Sequence, residues 1–175
     1  MKSLKKLNKL KLAFITGATK GIGRSTAITF ANAGWDLILL SRKIDLMEKL
    51  KSELLPTKSK INLVECDLFN PQEIENCVKG AIDKYGCPSV LINNAGCAFN
   101  GSLVEMDLGQ WEQTMQINLT SVFQICRSIV PQMRKNGGLV INVSSHASYN
   151  AFPQWGAYCV SKSALAMFTK CLREE

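Results

Sequence analysis

The stretch Thr16-Gly-Ala-Thr-Lys-Gly-Ile-Gly23 decides how this chain folds. It follows the apolar run Leu12-Ala-Phe-Ile15 and opens a segment with helical spacing. A buried strand that turns abruptly into a helix needs residues free to adopt unusual backbone angles, and glycine supplies that freedom. Glycines also let a phosphate approach backbone N–H groups, while the positive end of the helix favours its charge. The stretch therefore reads as a phosphate cradle in a nucleotide-binding α/β domain. Gly17, Gly21 and Gly23 give G-x-x-x-G-x-G rather than G-x-G-x-x-G, and the absence of a following Gly-Lys-Ser/Thr excludes a P-loop. A glycine turn without a ligand is the competing reading, and residues further along the chain weigh against it.

Outward from the turn, short apolar runs recur at Leu12–Ile15, Leu37–Leu40, Ile61–Val64, Val90–Ile92 and Leu139–Val143. Runs this short and this rich in Ile, Leu and Val suit strands buried on both faces of a parallel sheet. Segments with helical spacing alternate with them, which predicts a doubly wound, Rossmann-like, three-layer α/β/α sheet with right-handed crossovers. The helices are expected over Ile22–Ala33, Ile44–Leu55, Asn70 to Gly86, Leu108–Arg134 and Trp155 to the end. Asn70-Pro71 is a cap followed by a first-turn proline, and Pro131 should bend the last turn of its helix.

Composition bounds the rest. With 175 residues, 46% hydrophobic and 20% charged, the chain is long enough for one globular domain with a real core. No apolar run is long enough to cross a bilayer. Residues 1–10 read as a basic arm, with residues 11–175 as the nucleotide-binding domain. The seven cysteines are odd in number and scattered, with no C-x-x-C, so neither a disulfide framework nor a metal site is suggested. Reduced thiols fit a cytoplasmic protein. The net charge of +7 is read as a basic solvated face that also attracts a polyanionic cofactor, and not as a nucleic-acid site, since no aromatic-basic motif accompanies it.

Ligands of such sheets bind beyond the carboxyl ends of the strands. Those ends carry the glycine turn, then Ser41-Arg42, then Asp67-Leu68, then Asn93-Asn-Ala-Gly96, then Ser144-Ser145-His146. An acidic residue after strand two would hold a ribose 2′-hydroxyl. Ser41 and Arg42 stand there instead, with Lys20 nearby, and arginine suits a 2′-phosphate. NADP(H) is therefore expected in preference to NAD(H), and Asp36 lies at the wrong end of its strand to compete. In Tyr158-Cys-Val-Ser-Lys162 the phenol and the ammonium share a helix face. A nearby cation favours an ionised phenol, so Tyr158 can give and take a proton. Ser145 can donate to a substrate oxygen. His146 neighbours Ser145 but should point to the opposite face, and no G-x-S-x-G elbow exists, so a Ser–His hydrolase is not expected. Gln154 and Trp155 are expected to line the pocket.

These motifs, in this order, resemble the short-chain dehydrogenase/reductase family over essentially the whole chain. The resemblance implies hydride transfer between NADP(H) and a carbonyl or secondary alcohol. It implies Tyr158 as acid/base, Ser145 positioning the carbonyl and Lys162 binding the nicotinamide ribose, with Asn118 holding a relay water. Ser145 is preferred to Ser144 because it lies thirteen residues before Tyr158, the family's interval. The cofactor residues implied are Gly17, Thr19, Lys20, Gly21, Ile22, Gly23, Ser41, Arg42, Asp67, Leu68, Asn94, Ala95, Gly96, Tyr158 and Lys162. Asp67 would meet the adenine and Asn94 the adjoining ribose region. Wording such as Asn118-Leu-Thr-Ser-Val-Phe123 is loosely similar to the β-ketoacyl-carrier-protein reductases. The family forms dimers or tetramers, so a homo-oligomer is expected. The resemblance implies that family members continue past the Tyr/Lys helix with further strands and a substrate lid, so it covers the cofactor half and the catalytic residues but not the lid. A truncated, catalytically inactive nucleotide-binding module is the alternative, and if 175 residues is the native length, strand five or the last helix is expected to expose surface that is normally covered.

Overall fold

The computed structural model describes residues 11–175; the basic arm expected over residues 1–10 lies outside the described residues. Strands β1 (Leu12–Thr16), β2 (Asp36–Ser41), β3 (Ile61–Glu65), β4 (Val90–Asn93) and β5 (Leu139–Asn142) form one sheet in the order β3-β2-β1-β4-β5. Every neighbouring pair is parallel. Helices α1 (Gly21–Asn32), α2 (Ile44–Leu54), α3 (Pro71–Tyr85), α4 (Leu108–Met115), α5 (Ser121–Asn136) and α6 (Gly156–Glu174) connect and cover the strands.

Strand residues alternate between two cores because successive side chains leave opposite faces. Leu12 and Phe14 of β1 join Ile38 and Leu40 of β2 against α3, α5 and α6. Ala13 and Ile15 join Leu37 and Leu39 against Ala27 and Ala31 of α1 and Met47, Leu50 and Leu54 of α2. This accounts for the uninterrupted apolar runs, since both faces of the central strands are dry. β5 differs. Among the described residues it pairs only with β4, and Leu139 and Ile141 are 55% and 38% exposed.

Two helical features place later side chains. Asn70 caps α3 by accepting the Gln72 N–H at 3.2 Å, with Pro71 as first residue. The helix expected to run unbroken from Leu108 to Arg134 is instead divided by a π turn, Gln116–Thr120, between α4 and α5. Such turns insert one residue and redirect a side chain; here Asn118 ends fully buried.

The sheet reverses its winding direction between β1 and β4, which opens a crevice at their carboxyl ends. Thr16 closes the floor of that crevice. Its buried hydroxyl accepts the N–H groups of Asn94 and Ala95, each at 3.0 Å. The Asn94 amide donates to the carbonyls of Thr16 and Gly17, at 3.0 and 3.1 Å. Gly17 has φ +67, and a Cβ there would lie 2.8 Å from Ala95 Cα. A Cβ on Gly23 would collide with the Asn94 amide nitrogen and the Gly17 carbonyl oxygen. Gly23→Ala should therefore destabilise the fold by about 1–3 kcal/mol through overpacking. Urea denaturation checks this, and a loss below about 0.5 kcal/mol would show that the turn yields.

Candidate functional site

A cleft of about 950 Å³ opens over the crevice, and every strand end contributes to its wall. The glycine turn supplies Gly17, Thr19, Lys20, Gly21 and Ile22; β2 supplies Ser41 and Arg42; β3 supplies Asp67 and Leu68. The end of β4 supplies Asn94, Ala95 and Gly96, and α6 supplies Tyr158 and Lys162. Gly23 is the one expected cofactor residue that does not reach the cleft, because its missing side chain makes room for Asn94 behind the turn. Asn94 likewise spends both amide protons on backbone carbonyls.

One end of the cleft is cationic. Helix α1 begins there with no side-chain cap and no acidic residue in its first turn. Its free N–H groups and dipole face the glycine turn, as anion-binding helix ends do. Lys20 and Arg42 flank it, both exposed, and among the described residues neither is in an ion pair. Asp36 is turned away at the other end of β2, where it accepts the Lys60 N–H at 2.8 Å.

The other end gathers the residues expected to act chemically. Lys162 is only 4% exposed; its Nζ donates to the Val143 carbonyl at 2.8 Å and lies 5.7 Å from the centre of the Tyr158 ring. Burial pushes its pKa below the ordinary lysine value, and the Cys97 sulphur opposes the shift. The Tyr158 hydroxyl has no hydrogen-bond partner among the described residues, while its ring meets Trp155 edge-on at 5.8 Å. Trp155 lines the cleft; Gln154 does not, and its carbonyl instead accepts the Gly101 N–H at 3.0 Å.

Ser144 lies on the cleft wall, and Ser145 follows it directly at the start of the next turn. Ser145 Oγ accepts the Ala147 N–H at 3.2 Å and caps the short 3-10 turn His146–Ser148. His146 pairs its ring with Asn150 at 3.1 Å and packs on Phe152, away from both serines. Asn118 lies behind the wall. Its Oδ1 accepts the Cys97 N–H, and its Nδ2 donates to the Cys97 carbonyl and to Ser161 Oγ, all at 2.9 Å. Cys97 and Ser161 escaped the sequence reading, as did the bracing role of Thr16. Neither a hydroxyl one residue before Lys162 nor a thiol after Gly96 carries a local signal of its partner.

The lysine gives the site a measurable pH signature. Its charged form is disfavoured only in the folded chain, so the unfolded chain binds more protons between the depressed folded value and about 10.4. Stability should therefore rise with pH through that window. In Lys162→Met this component is absent, so wild type should gain stability relative to the variant between about pH 7 and about pH 10. Denaturation curves at the two pH values measure the gain, and a difference that stays flat or reverses would show that the ammonium is not penalised.

The short chain dehydrogenase family model matches residues 11–175. A 3β-hydroxysteroid dehydrogenase of Mediterraneibacter gnavus is 33% identical over 163 residues, covering 93% of this chain and 59% of that protein. A 3-oxoacyl-[acyl-carrier-protein] reductase of Synechocystis sp. is 28% identical over 167 residues, covering 94% of this chain and 68% of that protein. Among solved structures, a metagenomic short-chain oxidoreductase in complex with NADP superposes with a TM-score of 0.90 at 27% identity, covering 95% of this chain and 76% of the other. The chain thus spans well under two thirds of the steroid dehydrogenase that it matches. With the parallel sheet, the crevice at its winding reversal and the family match over residues 11–175, this chain belongs to the short chain dehydrogenase family of oxidoreductases.

Proposed function

We propose that the protein transfers a hydride between NADP(H) and a carbonyl or secondary alcohol carbon. The observation that carries this reading is the single cleft that joins an uncapped, cation-flanked helix end to a free phenol beside a buried ammonium. The residues present suit a dinucleotide: Gly17 and Gly21 leave the backbone open for a pyrophosphate, and the α1 N-terminus complements its charge. Arg42 and Lys20, both without an ion-pair partner among the described residues, suit a 2′-phosphate better than a bare ribose hydroxyl. Asp67 and Leu68 would border the adenine. When bound, the cofactor supplies the hydride and the protein supplies orientation and proton handling.

In the reducing direction Tyr158 would donate its proton to the substrate oxygen as charge develops there, and in the oxidising direction it would accept one. Lys162 would stabilise the phenolate left behind and bind a ribose hydroxyl, its Nζ already fixed by the Val143 carbonyl. Ser145 accepts rather than donates in its cap, so its own proton stays available for the substrate oxygen. Asn118, satisfied on both sides of its amide, would act at one remove, holding the Cys97 backbone beside the ammonium. Trp155, partly exposed on the cleft wall, favours an apolar substrate. A cytoplasmic homo-oligomer remains the expected setting.

A second reading, cofactor binding without turnover, is favoured by the bare outer edge of β5 with Leu139 and Ile141 exposed. NADPH oxidation with a panel of apolar ketones separates the two. Turnover is expected, and Tyr158→Phe should lower it roughly 100- to 10,000-fold while leaving NADPH binding intact. Arg42→Ala should weaken NADPH binding roughly ten- to hundredfold without affecting NADH. Binding without turnover supports the second reading; turnover that survives Tyr158→Phe removes the phenol from the mechanism.

A further inference from the structure

The turn from β3 into α3 carries a cluster that the hydride-transfer reading does not use. Cys66 follows β3 and is 1% exposed; Glu73 and Cys77 are half-buried and lie one turn apart on the same face of α3. One sulphur or oxygen atom from each lies within 4.8 Å of the others. The Cys77 thiol donates to the Glu65 carbonyl at 3.4 Å, which holds it against the end of β3. Nothing in the spacing of these cysteines announces a ligand set; the fold assembles it.

We propose that Cys66, Glu73 and Cys77 form a binding site for a divalent ion of the zinc class, with a water as fourth ligand. Two sulphurs and one carboxylate select a borderline-soft ion over magnesium or calcium. Tetrahedral zinc–sulphur bonds of about 2.3 Å put two sulphurs about 3.8 Å apart. A cluster spanning at most 4.8 Å reaches that by small side-chain rotations. Glu73 is already oriented, because one carboxylate oxygen accepts the Asp67 N–H at 2.9 Å and leaves the other for the ion. Cys66 also lines the large cleft, which gives both an entry path and a source for the water. Binding displaces one proton from each thiol to the buffer, with no change in oxidation state. The carboxylate favours an ion over a disulfide, which would have no use for it.

The consequence is local. The same turn holds Asp67 and Leu68 on the cleft wall, so the ion would tie β3 to α3 directly beneath them. The test requires no turnover and is separate from the hydride-transfer reading. The protein, kept reduced with a phosphine, is titrated with Co²⁺ and then with Zn²⁺. One equivalent of cobalt should bring up a thiolate-to-cobalt absorption band and tetrahedral visible bands, and zinc should abolish both. Cys77→Ser should remove the thiolate band, Glu73→Gln should weaken cobalt binding roughly tenfold or more, and Cys171→Ser should change nothing. Because Cys66 is buried and its replacement risks the fold, its part is read in the wild type. Zinc should slow alkylation of Cys66 and Cys77, mapped by mass spectrometry, and a chelator should restore it. A cobalt band that survives Cys77→Ser, alkylation rates indifferent to zinc, or a Cys66–Cys77 disulfide forming equally with zinc present would each overturn the proposal.

Discussion

The hydroxyl of Thr16 is the point on which the rest of the site depends. At the winding reversal, β1 and β4 diverge into loops that no longer share a ladder, and their backbone donors need new partners. Thr16 takes two of them, from Asn94 and Ala95, while Asn94 returns two donors to the glycine turn. The four bonds lock two loops into one surface. Gly17 holds a left-handed angle at that junction with Ala95 against it, so the turn has almost no room for a side chain. Preorganised donors need N–H groups fixed before any ligand arrives, and this brace fixes those of the glycine turn.

The cleft above that brace is electrostatically lopsided. Its open end carries exposed cations whose charge solvent screens at little cost. Its closed end carries an ammonium removed from water, with a backbone carbonyl, the Tyr158 ring and the Cys97 sulphur as neighbours. Burial of that charge works against folding. A structural role would be served as well by an apolar side chain of similar size. A buried ammonium set beside a solvent-facing phenol is the kind of arrangement that perturbed groups at working sites share.

How much of this was legible in the sequence follows from where each signal resides. The strands were readable because β1, β2 and β4 are dry on both faces, so their runs are apolar without alternation. Strand-end residues were readable because parallel topology sends every carboxyl end to one edge. The assignment of α3 rested on a cap and a proline, both local. What could not be read depends on distance. How Ser145 is held turns on the 3-10 turn His146–Ser148 that it caps. The meeting of Cys66 with Glu73 and Cys77 requires knowing how a strand enters a helix. The placement of Gly23 against Asn94 involves residues from opposite halves of the sheet crossing.

The π turn is the clearest case of local pattern yielding to tertiary demand. A regular helix from Leu108 onward would keep its apolar stripe toward the sheet, and an asparagine in that stripe would be a buried amide in need of partners. Inserting one residue per turn rotates Asn118 to a place where all three of its bonds are available: two on Cys97 and one on Ser161. The amide then joins α6 to the loop after β4, through the residue that directly precedes Lys162. A distorted helical hydrogen bond costs less than an orphaned amide, whose burial alone costs about 1–3 kcal/mol. The irregular helix is therefore the lower-energy arrangement once α6 and the β4 loop are in place. It also makes the position of the ammonium depend on an element that contributes nothing to the cleft wall at Asn118 itself.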